Sequence, residues 1–137
     1  MNLKFNQKKI TGLLTILPQI EIKFEDELEN YNFSKAQSLK LKMVMGYDKH
    51  RIVDEKTCIS DLAVFGMNYL FENNLLSKSD VDAIVVVTQS PDFLMPPTSV
   101  IIQGQLGLKN DMYCVDINQG CAGYIVGLHQ AFMLLDQ

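Results

Sequence analysis

The chain has 137 residues, the usual length of one domain that buries a core. Hydrophobic residues make up 47% of the sequence and charged residues 20%, a composition that excludes an intrinsically disordered chain. The formal net charge of −4 and the pI near 5.0 exclude the basic balance typical of nucleic-acid-binding domains.

The three cysteines, an odd number, do not form a closed disulfide framework. The N-terminal stretch MNLKFNQKKI lacks the continuous apolar segment of a signal peptide, and no run approaches the roughly 18 apolar residues that span a bilayer. We therefore expect a cytoplasmic protein with reduced thiols that binds neither membrane nor nucleic acid.

The first predicted element is a buried strand in the apolar run ITGLLTIL, Ile10 to Leu17, which Pro18 closes. An acidic short helix or loop is expected over residues 25–30. A helix then begins at Ser34, because Ser34 and Gln37 have the spacing of a capping box.

Gly46 suits the end of that helix, since glycine readily adopts the left-handed conformation found after many helices. The segment MGYDKHRIV, residues 45–53, predicts a turn followed by a short extended piece. A second, clearer helix is predicted from Ile59 to Leu75, and a polar turn follows it at residues 77–80.

The strongest strand pattern is VDAIVVVT, Val81 to Thr88. Its continuous β-branched run indicates burial on both faces, as in a parallel sheet covered by helices. Three prolines in the following segment, residues 91–97, enforce a loop, and Thr98 is expected to cap a helix that ends before Gly107.

A further short strand is predicted from Met112 to Ile117 and a final apolar helix from Gly123 to Asp136. The order of strands and helices indicates an α/β fold with a mostly parallel central sheet covered by helices on both faces. No internal repeat or linker divides the chain, so residues 1–137 are expected to form one domain.

Cys121 lies in the segment DINQGCAGYIVGL, where an apolar strand gives way to a helix. The unpaired N–H groups of a helix N-terminus favour a thiolate and can hold a developing oxyanion. Gly120, Ala122 and Gly123 leave room for a substrate to approach the backbone closely. The alternative is that Cys121 is a small hydrophobe packed in a tight turn, and the residues alone leave both interpretations open.

A thiolate nucleophile usually needs an acid–base partner. His129 is eight positions after Cys121 on the same predicted helix, about 12 Å along its axis, and His50 lies in the polar turn DKHR. Neither histidine is a convincing base. Cys58 and Cys114 fit packing roles, and their spacing does not predict a zinc site or any other metal site. No cofactor is expected.

The segment DINQGCAGYIVGL resembles the nucleophile segment of β-ketoacyl-acyl carrier protein synthase III. The likeness continues upstream in register. ITGLLTILP is similar to that family's opening strand, MGYDKHRIVDEKTCISDLA to its TGI-x-x-R motif and the following helix, and VDAIVVVTQSPDFLMPPTSVIIQGQLGL to its next strand, loop and helix. Residues 10–136 are covered.

The resemblance implies a thiolase-like fold whose subunit has two similar halves and forms a homodimer. Cys121 would accept an acyl group from a thioester, and malonyl-acyl carrier protein would then condense with it after decarboxylation. Met95 matches a position that reaches across the dimer to shape the partner's acyl pocket, and Gly123 would line the substrate's approach. The acyl thioester and acyl carrier protein are thus the expected partners.

The family's histidine and asparagine, which assist decarboxylation, come from its second half. We therefore expect residues 1–137 to be a truncated N-terminal portion that is inactive alone. Members primed by acyl-CoA carry a tryptophan and an arginine where this chain has Lys40 and Val44. The TGI motif also differs, because Tyr47 replaces its isoleucine and Arg51 lies where a histidine is common. A primer bound to acyl carrier protein, or an unusual acyl group, is as consistent with the sequence as an acyl-CoA.

Two other functions remain open at this point. One is an acyltransferase of the same superfamily that loads Cys121 but does not decarboxylate malonyl groups. The other is a non-catalytic subunit that dimerises with a complete synthase.

Overall fold

A computed structural model describes residues 4–136. Its contacts divide the chain into two compact units. One unit comprises residues 16–57, and the other comprises the preceding described residues together with residues 58–136. The expectation of one domain over residues 1–137 stays a prediction.

The unit of residues 16–57 contains an antiparallel pair of strands, β1 (Ile20–Lys23) and β2 (Lys49–Ile52). Between them lie a short 3-10 helix, Phe24–Asn30, and helix α1, Lys35–Met45. The 3-10 helix covers the acidic segment for which a short helix or loop was predicted. Strand β2 falls within residues 45–53, where a turn and a short extended segment were predicted.

Local sequence signals set the ends of α1 as predicted. The Ser34 N–H donates to Gln37 Oε1 at 3.0 Å and the Gln37 N–H to Ser34 Oγ at 3.4 Å, which completes the capping box. Gly46 ends the helix at a φ of 66°, in the left-handed region that glycine enters without a steric penalty.

The predicted strand from Ile10 to Leu17 is wrong, because this run has no regular secondary structure. Leu13 is 87% exposed, so the run is not the buried first strand either. A short apolar run forms a strand only where another strand offers it a hydrogen-bonding edge, and no strand within residues 4–136 pairs with this run. The first strand is instead the alternating segment IEIK of β1.

The second unit holds the parallel pair β3 (Ala83–Val87) and β4 (Tyr113–Ile117), in which Val85 pairs with Val115. Its helices are α2 (Ile59–Glu72), α3 (Thr98–Leu106) and α4 (Gly123–Leu134). All five elements were predicted in type and order, and their ends differ from the prediction by up to three residues.

Helices cover both faces of this parallel pair, as predicted. Successive side chains of a strand point to opposite faces. Ile84 and Val86 pack against the buried cluster of Ile102 and Leu106 from α3, together with partly buried residues of α2. The other face of β3 packs against α4, as detailed below. The α/β fold is confirmed, although the parallel sheet has two strands within residues 4–136.

Candidate functional site

Cys121 lies in the turn between β4 and α4. The Gln119 N–H donates to the Ile117 carbonyl at 3.1 Å and the Gly123 N–H to the Gly120 carbonyl at 2.7 Å, so two short-range bonds shape the turn. Cys121 is free and exposed, and α4 begins two residues later. The structure therefore presents the thiol beside the start of a helix, as the sequence predicted.

The start of α4 is held by close packing of glycines on β3. A Cβ atom built on Gly123 would lie 2.6 Å from Val87 Cγ1, and one on Gly127 would lie 2.5 Å from Val87 Cγ2. Real Cβ atoms do not approach so closely, so both positions need glycine. Gly123, predicted to give the substrate access, is itself buried against the strand. Its predicted contact with substrate stays untested.

Gln89 lies directly over this turn. A Cβ atom on Gly120 would lie 2.8 Å from Gln89 Oε1 and 3.1 Å from Gln89 Cδ. The carboxamide therefore rests against the α-carbon of the residue that precedes Cys121. No local pattern predicts a role for Gln89, because the sequence near it does not show that the end of β3 meets the end of β4.

Asp116, near the end of β4, binds the start of α3. Its carboxylate accepts hydrogen bonds from the Thr98 N–H at 2.6 Å and the Ser99 N–H at 2.8 Å. Burial raises the pKa of Asp116, but the hydrogen bonds from Ser99 and Thr98 outweigh it and the pKa is lowered from its ordinary value. Thr98 was predicted to cap α3; instead it is the first helical residue, and a distant carboxylate caps the helix.

The proline-rich loop before α3 is tied to two helices. The Asp92 carboxylate accepts from the Ser60 N–H of α2 at 3.2 Å, and the Asp92 N–H donates to Thr98 Oγ1 at 3.4 Å. The loop presents Met95, which is 77% exposed, and Leu94, which is 97% exposed. The structure thus leaves Met95 accessible to a partner molecule, while its predicted role in an acyl pocket stays untested.

The two histidines lie in different units of the chain. His129 lies on α4, about 9 Å along its axis from Gly123, and packs edge-on against Phe5 with ring centroids 5.5 Å apart. His50 belongs to the unit of residues 16–57, where Nδ1 lies 2.5 Å from the Tyr47 hydroxyl. Among the described residues of the unit that contains Cys121, His129 is the only histidine, and it packs against Phe5.

The other cysteines differ from Cys121 in their surroundings. Burial raises the pKa of Cys114, and the charge of Asp116 adds to the effect. Cys58 is exposed before α2, and its N–H donates to Asp61 Oδ2 at 2.8 Å. Within residues 4–136 no group of three or more acidic, histidine or cysteine side chains has the geometry of a metal site. The described helices are all too short or too polar to cross a membrane.

Sequence comparison finds relatives along almost the whole chain. A Campylobacter jejuni protein named as a 3-oxoacyl-[acyl-carrier-protein] synthase 3 is 38% identical over 136 residues, which are 98% of this chain and 38% of that protein. β-Ketoacyl-[acyl-carrier-protein] synthase III 2 of Staphylococcus epidermidis is 34% identical over 90% of this chain and 36% of its own length. No family model matches the chain.

Comparison with solved structures finds proteins of the same kind. β-Ketoacyl-[acyl carrier protein] synthase III of Thermus thermophilus is 28% identical and matches 88% of this chain and 36% of its own, with a TM-score of 0.70. A 3-oxoacyl-(acyl-carrier protein) synthase of Burkholderia xenovorans, 24% identical, shares the fold over 87% of this chain and 34% of its own, with a TM-score of 0.77. The thiolase-like fold is confirmed, and the chain spans about a third of the length of these proteins.

Proposed function

From the homology of this chain to β-ketoacyl-acyl carrier protein synthase III proteins, we propose that it carries the nucleophile of a condensing enzyme of this type. The observation that carries the proposal is the match over 98% of the chain, together with the placement of Cys121 at the exposed turn into α4. The function is decarboxylative condensation in fatty acid or related acyl biosynthesis.

In the first step, the Cys121 thiolate attacks the carbonyl carbon of an acyl thioester. A new sulfur–carbon bond forms, the donor's sulfur–carbon bond breaks, and the donor thiolate leaves and takes up a proton. The backbone N–H of Cys121 stabilises the oxyanion of the tetrahedral intermediate. The exposure of the thiol supports this step, since a donor can reach it without a rearrangement of the turn.

In the second step, a malonyl thioester on acyl carrier protein loses carbon dioxide, and the electrons of the broken bond form a carbanion. The carbanion attacks the acyl carbonyl, a carbon–carbon bond forms, and the Cys121 thiolate leaves. The family resemblance assigns the histidine and asparagine that assist this step to a second half, so no residue of this chain is given that role.

Acyl carrier protein and an acyl thioester are accordingly the proposed partners, in a cytoplasmic setting that keeps Cys121 reduced. A homodimer is part of the proposal, with Met95 entering the acyl pocket of the second copy. The exposed, flexible methionine on a loop tied down at Asp92 and Thr98 supports that assignment.

Acyl transfer to the chain tests the proposal directly. Condensation needs a histidine and an asparagine from the second half, whereas the loading step needs only the thiol and its turn. We therefore expect incubation with short-chain acyl thioesters to add one acyl group, and peptide mass spectrometry to place it on Cys121. The Cys121→Ala variant should gain none.

Cys58→Ala is the matched control, because Cys58 is also free and exposed but precedes a different helix. It should be acylated like the parent chain. Acylation that persists in Cys121→Ala and disappears in Cys58→Ala would contradict the proposal, as would the absence of an adduct with every donor.

A further inference from the structure

Gln89 is held in a defined position beside the Cys121 turn. The Thr88 N–H donates to the Ile117 carbonyl at 3.2 Å, which extends the pairing of β3 and β4 by one residue. The Ser90 N–H donates to Thr88 Oγ1 at 3.0 Å. Hydrogen bonds of Thr88 and Ser90 thus fix the backbone on both sides of Gln89, and they limit the positions that its side chain can reach.

The second carboxamide nearby belongs to Gln119. Its N–H donates to the same Ile117 carbonyl that accepts from Thr88, at 3.1 Å. One carbonyl therefore joins the segment of Gln89 to the segment of Gln119. Both glutamine side chains are exposed, which leaves their polar groups open to a ligand.

Both glutamines line one cavity of about 610 Å³. Gly120 and Tyr124 line the same cavity, so it reaches the residue before Cys121 and the first turn of α4. Adjacent α-carbons are about 3.8 Å apart. Gln89 Oε1, which rests on Gly120, therefore lies within about 8 Å of the Cys121 α-carbon, a distance that a four-carbon acyl group on the thiol can span. Cys121 itself does not line the cavity, which begins at its neighbour Gly120.

We propose that Gln89 and Gln119 select acyl groups that carry a neutral hydrogen-bonding substituent, such as a hydroxyl, near the thioester carbonyl. This proposal rests on the proposed acylation of Cys121. A carboxamide both donates and accepts hydrogen bonds and has no charge, and a hydroxyl likewise donates and accepts, so each group can satisfy the other without a buried charge. A plain hydrocarbon chain would cover these amides without replacing their hydrogen bonds to water.

Acylation rates with two small thioesters test this selectivity. The probes are the N-acetylcysteamine thioesters of butyrate and 3-hydroxybutyrate, which have equal chain lengths and carry neither nucleotide nor carrier protein. We expect the hydroxylated probe to acylate Cys121 about fivefold faster, the factor expected when one further hydrogen bond forms in the transition state.

Gln89→Leu should lower that rate ratio towards one by slowing the hydroxylated probe alone, and Gln119→Leu should lower it by a smaller factor. Gln105→Leu is the matched control, because Gln105 is exposed on α3 and does not line the cavity. The reaction of Cys121 with iodoacetamide, together with circular dichroism, reports whether each variant keeps its fold and its thiol.

Equal rates for the two probes in the parent chain would overturn the selectivity and leave the proposed function standing. An unchanged ratio in both Gln89→Leu and Gln119→Leu would overturn the assignment to these residues. If neither probe acylates Cys121, the proposed function fails, and this inference fails with it.

Discussion

Helix α3 follows strand β3 and helix α4 follows strand β4, and the first turns of the two helices are held by different kinds of contact. At α3, the Asp116 carboxylate accepts from the N–H groups of Thr98 and Ser99, and both residues are fully buried. At α4, the N-cap residue is Ala122, which provides no side-chain hydrogen bond. That helix is positioned instead by glycines packed against Val87.

The start of α3 is therefore closed by an internal hydrogen-bond partner, whereas the start of α4 is accessible to solvent. An anion already occupies the positive end of α3, so that end serves the fold. The start of α4 has no such anion, and the Cys121 thiol lies exposed beside it. Of two similar strand-to-helix connections, one is thus closed by an internal carboxylate and the other has an exposed thiol beside it.

The largest effect is expected from Asp116→Ala. The change leaves two buried N–H groups without an acceptor at the start of α3, which should lower the free energy of unfolding by about 2–4 kcal/mol. Urea unfolding measures the loss. Asp111→Ala, at an exposed turn position, should change stability by less than about 0.5 kcal/mol. Equal losses in the two variants would mean that α3 is not held by this carboxylate.

Gly127→Ala tests the packing of α4. The added methyl group would collide with Val87 Cγ2, and a valine side chain cannot turn away easily, so we expect a loss of about 1–3 kcal/mol. The matched control is Gly104→Ala on α3, where a Cβ atom meets nothing within 4 Å. That change should raise stability by about 0.5–1 kcal/mol, because alanine is the better helix former. A stabilising Gly127→Ala would contradict the close packing.

The capping of α3 should also depend on pH. Because the folded pKa of Asp116 is lowered, its contribution to stability is complete above the unfolded value of about 3.9 and is lost as the pH falls through the folded value. The stability difference between the parent chain and Asp116→Ala should therefore stay constant from pH 7 to 5 and shrink below about pH 4. Urea unfolding at pH 7, 5 and 3.5 measures it. A difference that grows on acidification would reverse the sign of this linkage.

The smallest effect on stability is expected from Cys121→Ala. An exposed side chain buries little surface, so unfolding should change by less than about 0.5 kcal/mol, although acylation is lost. Cys114→Ala, within β4, should cost more, about 1 kcal/mol, and leave acylation intact. Thermal unfolding and the acylation assay separate the two. A large loss of stability in Cys121→Ala would favour the packing interpretation of this cysteine.

Much of the fold could be predicted because its signals are local. The β-branched run of β3, the capping box at Ser34 and the glycine at position 46 act within a few residues of where they stand. The position of Cys121 at the entry to α4 follows from the same kind of pattern. The run from Ile10 to Leu17 shows where local signals fail. A strand there would need the edge of a neighbouring strand, and the local sequence does not tell whether one is present.

The sequence by itself therefore determined the order of the elements from α1 to α4, the helix ends set by local caps and the place of the candidate nucleophile. Only the tertiary structure decided that Asp116 caps α3 and that Gln89 lies over Gly120. Each of these contacts joins residues far apart in the chain, brought together by the parallel pairing of β3 with β4. Periodicity and propensity are local properties, whereas such a contact depends on which strand ends meet.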